Sequence, residues 1–411
     1  MVDLSKRIAV TGPFTDINFG DYAMLVNNAY DLNASNLLLF SYDQRFLSVL
    51  KDDYFQGRDV KFAEVRLSDG LKEKFVNQKK LTPFDLMEYV ENQEEIRESL
   101  IECDVLVVNG GGYFNSLWSM PHRIERLAQI VAPIIVGNRL GIKVVFSANG
   151  FGPFVDDSEF FACLFGSLPK VQFNCRDRLY SPLWMRQLGV SDSQLSFIPD
   201  DLLLINEELK ELKPNFSLDF KEYIVLETYL PVEFIDEHKE KFSKFSNSMR
   251  DRYGVGVVFL PFHLAHGGVD QGRFLVREMD NFELVDISEK GYLPVQDAVN
   301  IIGGARLVLS NRYHAVVVAL QCGTPTVSVL KDVLGDKRYY YNKNRGVVDL
   351  VLNGASVDES FYFCSDYLMA LDYVAENFLE IEFHQNSNYA SVHSKNIQAL
   401  SEIRKEFLKS V

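Results

Sequence analysis

Long apolar runs are missing from this 411-residue chain: no stretch approaches the roughly 18 consecutive apolar residues of a transmembrane helix. Paired cysteine spacing is missing too. The five cysteines (Cys103, Cys163, Cys175, Cys322, Cys364) are scattered and odd in number, so neither a zinc knuckle nor a disulfide framework is indicated. Most lie in apolar runs, where a buried reduced thiol is expected. Positive charge is in deficit: 42 Lys and Arg stand against 57 Asp and Glu, a net −15, which argues against an extended nucleic-acid surface. That deficit leaves room for a small anionic ligand, because a few arginines reverse the potential of a pocket. A G-x-G-x-x-G fingerprint is absent, which argues against a dinucleotide site. The opening residues, Met1 to Arg7, lack the apolar core of a signal peptide, and a cytoplasmic chain is expected.

What the chain does have is short apolar runs alternating with longer helical patterns, the mark of βα units and largely parallel sheets. Its length exceeds one ordinary core, so two domains are expected. In the first, strands are expected at Ile8–Val10, Asn36–Phe40, Asp104–Val108, Lys143–Ser147, Val171–Asn174 and Leu195–Ile198. Helices are expected between them at Asp21–Leu32, Phe84–Glu102, Pro121–Leu140 and Arg178–Leu188. After the polar stretch Glu207–Pro214, a second series places strands at Tyr223–Leu226, Val255–Leu260, Phe282–Asp286, Leu307–Leu309 and Thr326–Val329. Its helices are Pro231–Arg252, Gln271–Met279, Pro294–Gly303 and Tyr313–Gln321. Domains over 1–205 and 206–360 follow, with a helical segment at 361–411 packing across their junction. Strand C-termini then line a shared cleft, where open α/β sheets bind ligands.

The unusual residues fall just after the expected strands. Asn18-Phe19-Gly20-Asp21 opens the first helix, with Asp21 as a suitable N-cap; its free N–H groups suit a polar or anionic ligand, and simple capping explains it equally. Asn109-Gly110-Gly111-Gly112-Tyr113 follows the strand at Asp104–Val108. Consecutive glycines mark close backbone approach or positive φ, as a sugar or phosphate on bare amides, or a strained turn, would require. Asn149-Gly150-Phe151-Gly152-Pro153 repeats that logic one strand later. Arg176-Asp177-Arg178 is either a substrate clamp or a structural ion pair. Tyr113, Phe114 and Trp118 read as exposed loop aromatics able to stack on a sugar, with Trp118 equally suited to the core. His263 ends the run Leu260-Pro261-Phe262-His263, with His266 beyond it. It suits acid–base or hydrogen-bonding work, and no third ligand suggests a metal.

The strongest motif is Ser310-Asn311-Arg312-Tyr313-His314, joining a strand to the apolar helix that Gly323 and Pro325 end. Ser310 or Asn311 can cap that helix. An arginine, a histidine and free amides at one helix start suit a phosphate- and carboxylate-bearing ligand. Residues two apart do not share a helix face, so Arg312 must precede the helix proper if it and His314 are to meet one ligand. Gly335-Asp336-Lys337-Arg338 adds cations after the next strand.

Taken in order, Asn18–Asp21, Gly110–Gly112, Gly150–Pro153, Arg176–Arg178, Leu188-Gly189-Val190, Arg312-Tyr313-His314 and Gly323-Thr324-Pro325 resemble the polysaccharide pyruvyltransferase family. The resemblance implies a GT-B-like α/β fold of two Rossmann-like domains facing a cleft, with no required metal and no cofactor. It implies phosphoenolpyruvate as donor and a saccharide diol as acceptor, giving a pyruvate ketal in surface polysaccharide or glycan synthesis. The family's Arg-x-His donor element maps onto Arg312 and His314, alongside Ser310, Asn311 and Tyr313. Arg176 or Lys337 would complete the neutralisation of the donor, and His314 would protonate its enol carbon. His263 or Asp21 would take a hydroxyl proton. Asn18, Gly20, Asp21, Asn109, Gly110, Gly111, Gly112 and Tyr113 fall on the acceptor side. The chain departs from the family pattern at Thr11–Ile17, which is less glycine-rich, and at Tyr113-Phe114. Both departures fall on the acceptor side and leave the acceptor open between a lipid-linked saccharide at the inner membrane face and a soluble glycoside. A nucleotide-sugar glycosyltransferase of the same architecture and a non-catalytic ligand-binding relative are the competing readings.

Overall fold

Among the described residues all ladders between strands are parallel, as βα connectivity requires. A computed structural model of the chain describes residues 6–77, 82–155, 158–265, 268–332 and 337–411. Two units emerge. The first comprises Met1–Asp16, Gly20–Asp201 and Glu402–Val411; the second comprises Ile17–Phe19 and Leu202–Ser401. The first boundary thus falls just ahead of residue 205. Most of the segment over 361–411 belongs to the second unit, and its last ten residues return to the first.

In the first unit the strands are β1 (Arg7–Thr11), β2 (Asn36–Ser41), β3 (Asp59–Glu64), β4 (Val105–Val108), β5 (Gly111–Phe114), β6 (Lys143–Phe146), β7 (Asn149–Phe151), β8 (Phe173–Cys175) and β9 (Leu195–Phe197). One sheet runs β3-β2-β1-β4-β6, reversing direction beside β1 in the Rossmann manner. The other runs β5-β7-β8-β9. Helix Ile124–Leu140 buries Leu127, Val131, Ile134 and Ile135 in a core shared with Phe114, Phe146, Phe151 and Phe173. Sequence patterning did not separate the two sheets. Asn109–Gly112 and Asn149–Gly152, expected as loops, are the places where the chain leaves one sheet and enters the next.

A buried polar knot holds that crossing. Asp201, fully buried, accepts from Ser147 Oγ at 2.6 Å, from Asn28 Nδ2 at 2.9 Å and from Arg404 at 2.8 Å. Arg404 also donates to Asp31 at 2.6 Å and to Asn28 Oδ1 at 2.7 Å. Asn28 in turn donates to Asn109 Oδ1 at 2.8 Å. Gly110 is demanded by this knot, since a Cβ there would stand 2.0 Å from the Asp201 carboxylate.

The second unit holds β10 (Tyr223–Glu227), β11 (Gly256–Phe259), β12 (Phe282–Leu284), β13 (Val308–Ser310), β14 (Thr326–Val329) and β15 (Phe363–Cys364). Their order, β12-β11-β10-β13-β14-β15, is the dinucleotide-fold order 3-2-1-4-5-6 counted within the unit. Helix Tyr367–Ser410 is pinned to β14 through Gln385. Its amide receives the Thr326 N–H at 2.8 Å and donates to the Thr326 carbonyl at 2.9 Å.

Several elements differ from the sequence expectation. Phe84–Glu102 is two helices, Pro83–Met87 and Gln93–Ile101, and Pro231–Arg252 divides into Val232–Glu237 and Lys239–Tyr253. The segment from Phe361 begins with a short edge strand, β15, before its helix. Strand β3 and helices Arg45–Tyr54, Leu71–Asn77, Ser158–Gly166 and Arg338–Val351 were not anticipated. Strand β3 alternates apolar residues with charge, whereas helices Arg45–Tyr54 and Arg338–Val351 bury residues at helical spacing that the sequence expectation passed over. No helix among the described residues is long and apolar enough to cross a membrane.

Removing Arg404 strands two carboxylates in a dry site. Arg404→Ala should cost about 3–5 kcal/mol in chemical denaturation, the usual result of breaking a buried ion pair from one side. All five thiols are free, and burial pushes Cys103, Cys322 and Cys364 up to about 11. A raised thiol pKa means less thiolate at neutral pH. Labelling of these three at pH 8 should therefore run about 100-fold slower than for an ordinary thiol and quicken as pH rises toward 11, as a timed thiol titration would record.

Candidate active site

The site in the second unit begins at the ends of two neighbouring strands. β10 and β13 pair so that Glu227 stands beside Ser310. Glu227 closes an otherwise apolar strand and is wholly buried, where a bare carboxylate would be strongly disfavoured. It is therefore held on both oxygens. Ser310 Oγ donates to Oε2 at 2.7 Å, and Arg312 Nε donates to Oε1 at 2.8 Å. Ser310 Oγ also accepts the Arg312 N–H at 2.9 Å, which closes the turn. Burial pushes the Glu227 carboxyl above the usual range, against the opposing pull of Arg312 and the Ser310 hydroxyl.

Arg312 is extended, with φ −98° and ψ 129°, immediately before helix Tyr313–Cys322. The geometric condition set by the two-residue spacing is met: Arg312 leaves from the loop and His314 from the first helical turn. Arg312 itself, rather than Ser310 or Asn311, occupies the cap position. Its guanidinium is buried, donates to Asn18 Oδ1 at 3.1 Å and lies 4.0 Å over the Tyr229 ring. Asn311 fixes that ring's backbone by accepting the Tyr229 N–H at 3.1 Å. Lys331 Nζ is also 4.0 Å from the Tyr229 centroid. Tyr340 is hydrogen-bonded to Tyr229, and burial raises its phenol well above the ordinary range. Lys343 Nζ lies 4.0 Å from the Tyr340 ring, 4.4 Å from Tyr339 and 5.2 Å from Tyr313. His314 is half-buried, its ring 5.0 Å from that of Tyr313.

Asn18 and His263 join this unit as an antiparallel bridge, beside a Phe19 N–H to Phe262 carbonyl bond of 3.1 Å. His263 Nδ1 accepts the Ala265 N–H at 3.0 Å. A neutral ring therefore carries its proton on Nε2 and presents a donor, so the base role expected of His263 does not fit this tautomer. Lys337 is exposed, and its ammonium donates to the Ser365 carbonyl at 2.8 Å. His266, Gly335 and Asp336 lie outside the described residues.

The remaining candidates belong to the first unit. Asp21 and Gly20 sit inside helix Phe19–Asp31, so Asp21 is a first-turn residue and not the N-cap. Asn109 is buried, receiving Asn28 on its side chain and the Tyr113 hydroxyl on its carbonyl at 2.5 Å. Gly110 accommodates Asp201. Gly111, at φ 139°, lies against the Tyr113 ring, 2.9 Å from where a Cβ would be. Gly112 accepts Asn115 Nδ2 on its carbonyl at 2.7 Å. Tyr113 and Phe114, read as exposed, are buried in the aromatic core, and Trp118 takes the core alternative left open for it; they offer no face to a sugar because they pack on one another. Arg176 is a buried partner of Asp200 at 3.3 Å, and Gly150 gives it space, since a Cβ there would fall 2.7 Å from its nitrogens. Asp177 caps helix Tyr180–Gln187 by accepting the Tyr180 and Ser181 amides.

Sequence reasoning missed Glu227, Tyr229, Lys331, Tyr340 and Lys343. A lone acid ending an apolar strand marked the first. The run Tyr339-Tyr340-Tyr341 before Lys343 marked the last two. Among the described residues, no group of three or more His, Cys, Asp or Glu side chains could hold a metal ion. The Glu227–Arg312 pair predicts strong coupling. Glu227→Ala should cost about 3–5 kcal/mol, and Glu227→Ala with Arg312→Ala less than the sum of the two singles, read by a double-mutant denaturation cycle.

Similarity to solved structures is confined to the fold. The UDP-GlcNAc 2-epimerase of Neisseria meningitidis, solved bound to UDP-GlcNAc, covers 99% of this chain and 100% of its own at 12% identity and TM-score 0.59. An Anabaena protein in complex with UDP and glucose covers 99% and 100% at 10% identity and TM-score 0.54. The UDP-GlcNAc 2-epimerase of Methanocaldococcus jannaschii covers 90% and 91% at 12% identity and TM-score 0.54. These likenesses show a GT-B-type α/β fold of Rossmann-like units with a helical C-terminus. No curated protein matches in sequence. The model of the polysaccharide pyruvyl transferases matches residues 18–331, from Asn18 through the Arg312–His314 element to Lys331, and the chain belongs to that family.

Proposed function

We propose that this protein transfers pyruvate from phosphoenolpyruvate to two hydroxyls of a saccharide, forming a cyclic ketal and releasing phosphate. The observation that carries the reading is Arg312, held by Glu227 ahead of the helix that bears His314. An arginine fixed in direction binds a carboxylate or phosphate without first losing side-chain freedom. Lys331, on the same tyrosine ring, supplies a second cation for a donor with two anionic groups.

The chemistry asks little else. His314 gives a proton to the enol carbon, leaving C2 electron-poor. One sugar hydroxyl adds to C2 and releases its proton; phosphate departs with the C–O bonding electrons. The second hydroxyl then adds and releases its own proton, closing the ketal. His314, left neutral by the first step, and the departing phosphate can take up the two released protons. The acceptor is a saccharide, either a soluble glycoside or one linked to lipid at the inner membrane face.

Incubation with phosphoenolpyruvate and candidate galactosides should release phosphate and yield a product heavier by a pyruvate ketal in mass spectrometry. Turnover of a UDP-sugar in its place, with no use of phosphoenolpyruvate, would overturn the proposal in favour of glycosyl transfer. Arg312→Ala should lower turnover by about 1000-fold or more, in line with the loss of one preorganised charge stabiliser. His314→Ala should keep donor binding and lose product formation; normal turnover would dismiss the acid role.

A further inference from the structure

The family match ends at residue 331, yet helix Arg338–Val351 brings Tyr339, Tyr340 and Lys343 to the Arg312–His314 element. The Lys343 ammonium is half-buried among three phenol faces, one of them Tyr313, which stands between Arg312 and His314 in the chain. Ring faces attract a cation through their quadrupole and so hold the ammonium in place. Tyr340 is further tied to Tyr229, whose ring carries Arg312 and Lys331 at 4.0 Å each. A continuous aromatic framework thus sets three cations around one helix start. A long lysine confined this way has already lost much of the side-chain entropy that binding would otherwise remove.

We propose that Lys343 is an anion-binding residue of this site, its ammonium caged by Tyr313, Tyr339 and Tyr340 so as to meet the phosphate group of the donor. The assignment of that anion to phosphoenolpyruvate rests on the pyruvyl-transfer reading; the anion site itself does not. Lys337, the cation suggested by sequence, donates to the Ser365 carbonyl at 2.8 Å.

Inorganic phosphate is the probe that separates the two ideas. Calorimetric titration of the full chain with phosphate should show saturable binding, weakened about 10-fold or more in Lys343→Met, the cost of losing one charge-assisted contact. Lys343→Arg should recover part of it. With phosphoenolpyruvate as substrate, Lys343→Met should raise KM and change kcat much less, a split that a general loss of structure would not produce. Lys343→Gln, with the circular dichroism spectrum compared to the native chain, guards against a folding defect in the methionine variant. Unchanged phosphate affinity in both folded variants overturns the inference, as does a native chain that binds no phosphate. Phosphate binding that depends on Lys343, in a chain that never consumes phosphoenolpyruvate, upholds the anion site and overturns the proposed reaction alone.

Discussion

A carboxylate with no access to water must be answered by a cation and by hydrogen bonds, and Glu227 imposes that rule on everything around it. Ser310 and Arg312 are its answer. Because the guanidinium is tied at Nε, its remaining edge can point in few directions, and Asn18 and the Tyr229 ring narrow these further. The direction of the Arg312 guanidinium is thus set by a residue 85 positions away in the chain. Glu227 works through Arg312, as a positioning group, and its burial is what makes the positioning firm: in low dielectric the pair resists exchange with solvent.

The first unit obeys the same rule at Asp201, with a different outcome. There Arg404, Asn28 and Ser147 satisfy the carboxylate inside the crossing between two sheets. The glycines that look like a ligand cradle in sequence are consumed by this arrangement. Gly110 yields to Asp201, Gly150 to Arg176, and Gly111 to Tyr113. A missing side chain reports that something approaches closely. It does not report whether that something is a substrate or the protein itself.

The aromatic residues divide in the same way. Tyr113, Phe114 and Trp118 go to the core of the first unit. Tyr229, Tyr313, Tyr339 and Tyr340 surround cations in the second. Nothing in residue type distinguishes the two groups; the nearness of Arg312, Lys331 and Lys343 does, and those contacts join residues far apart in the chain. Helix Arg338–Val351 shows the difficulty plainly. Its buried face, Tyr340, Asn344, Val347, Val348 and Val351, follows helical spacing, but nothing in that spacing names the cations its tyrosines meet.

By itself the sequence determined the fold class, because alternating apolar runs and helical segments admit few arrangements other than parallel βα units. It also determined the local form of the Ser310–His314 element, where a strand end, a turn and a helix start follow one another within a few residues. Tertiary structure alone decided that Arg312 leads the helix while paired to Glu227, that the glycine segments are strands changing sheets, and that Lys343 joins Tyr313. The physical reason is range. Periodicity and capping act over a few residues, whereas a buried charge selects its partner from wherever the fold brings one, here 85 residues away for Glu227 and Arg312.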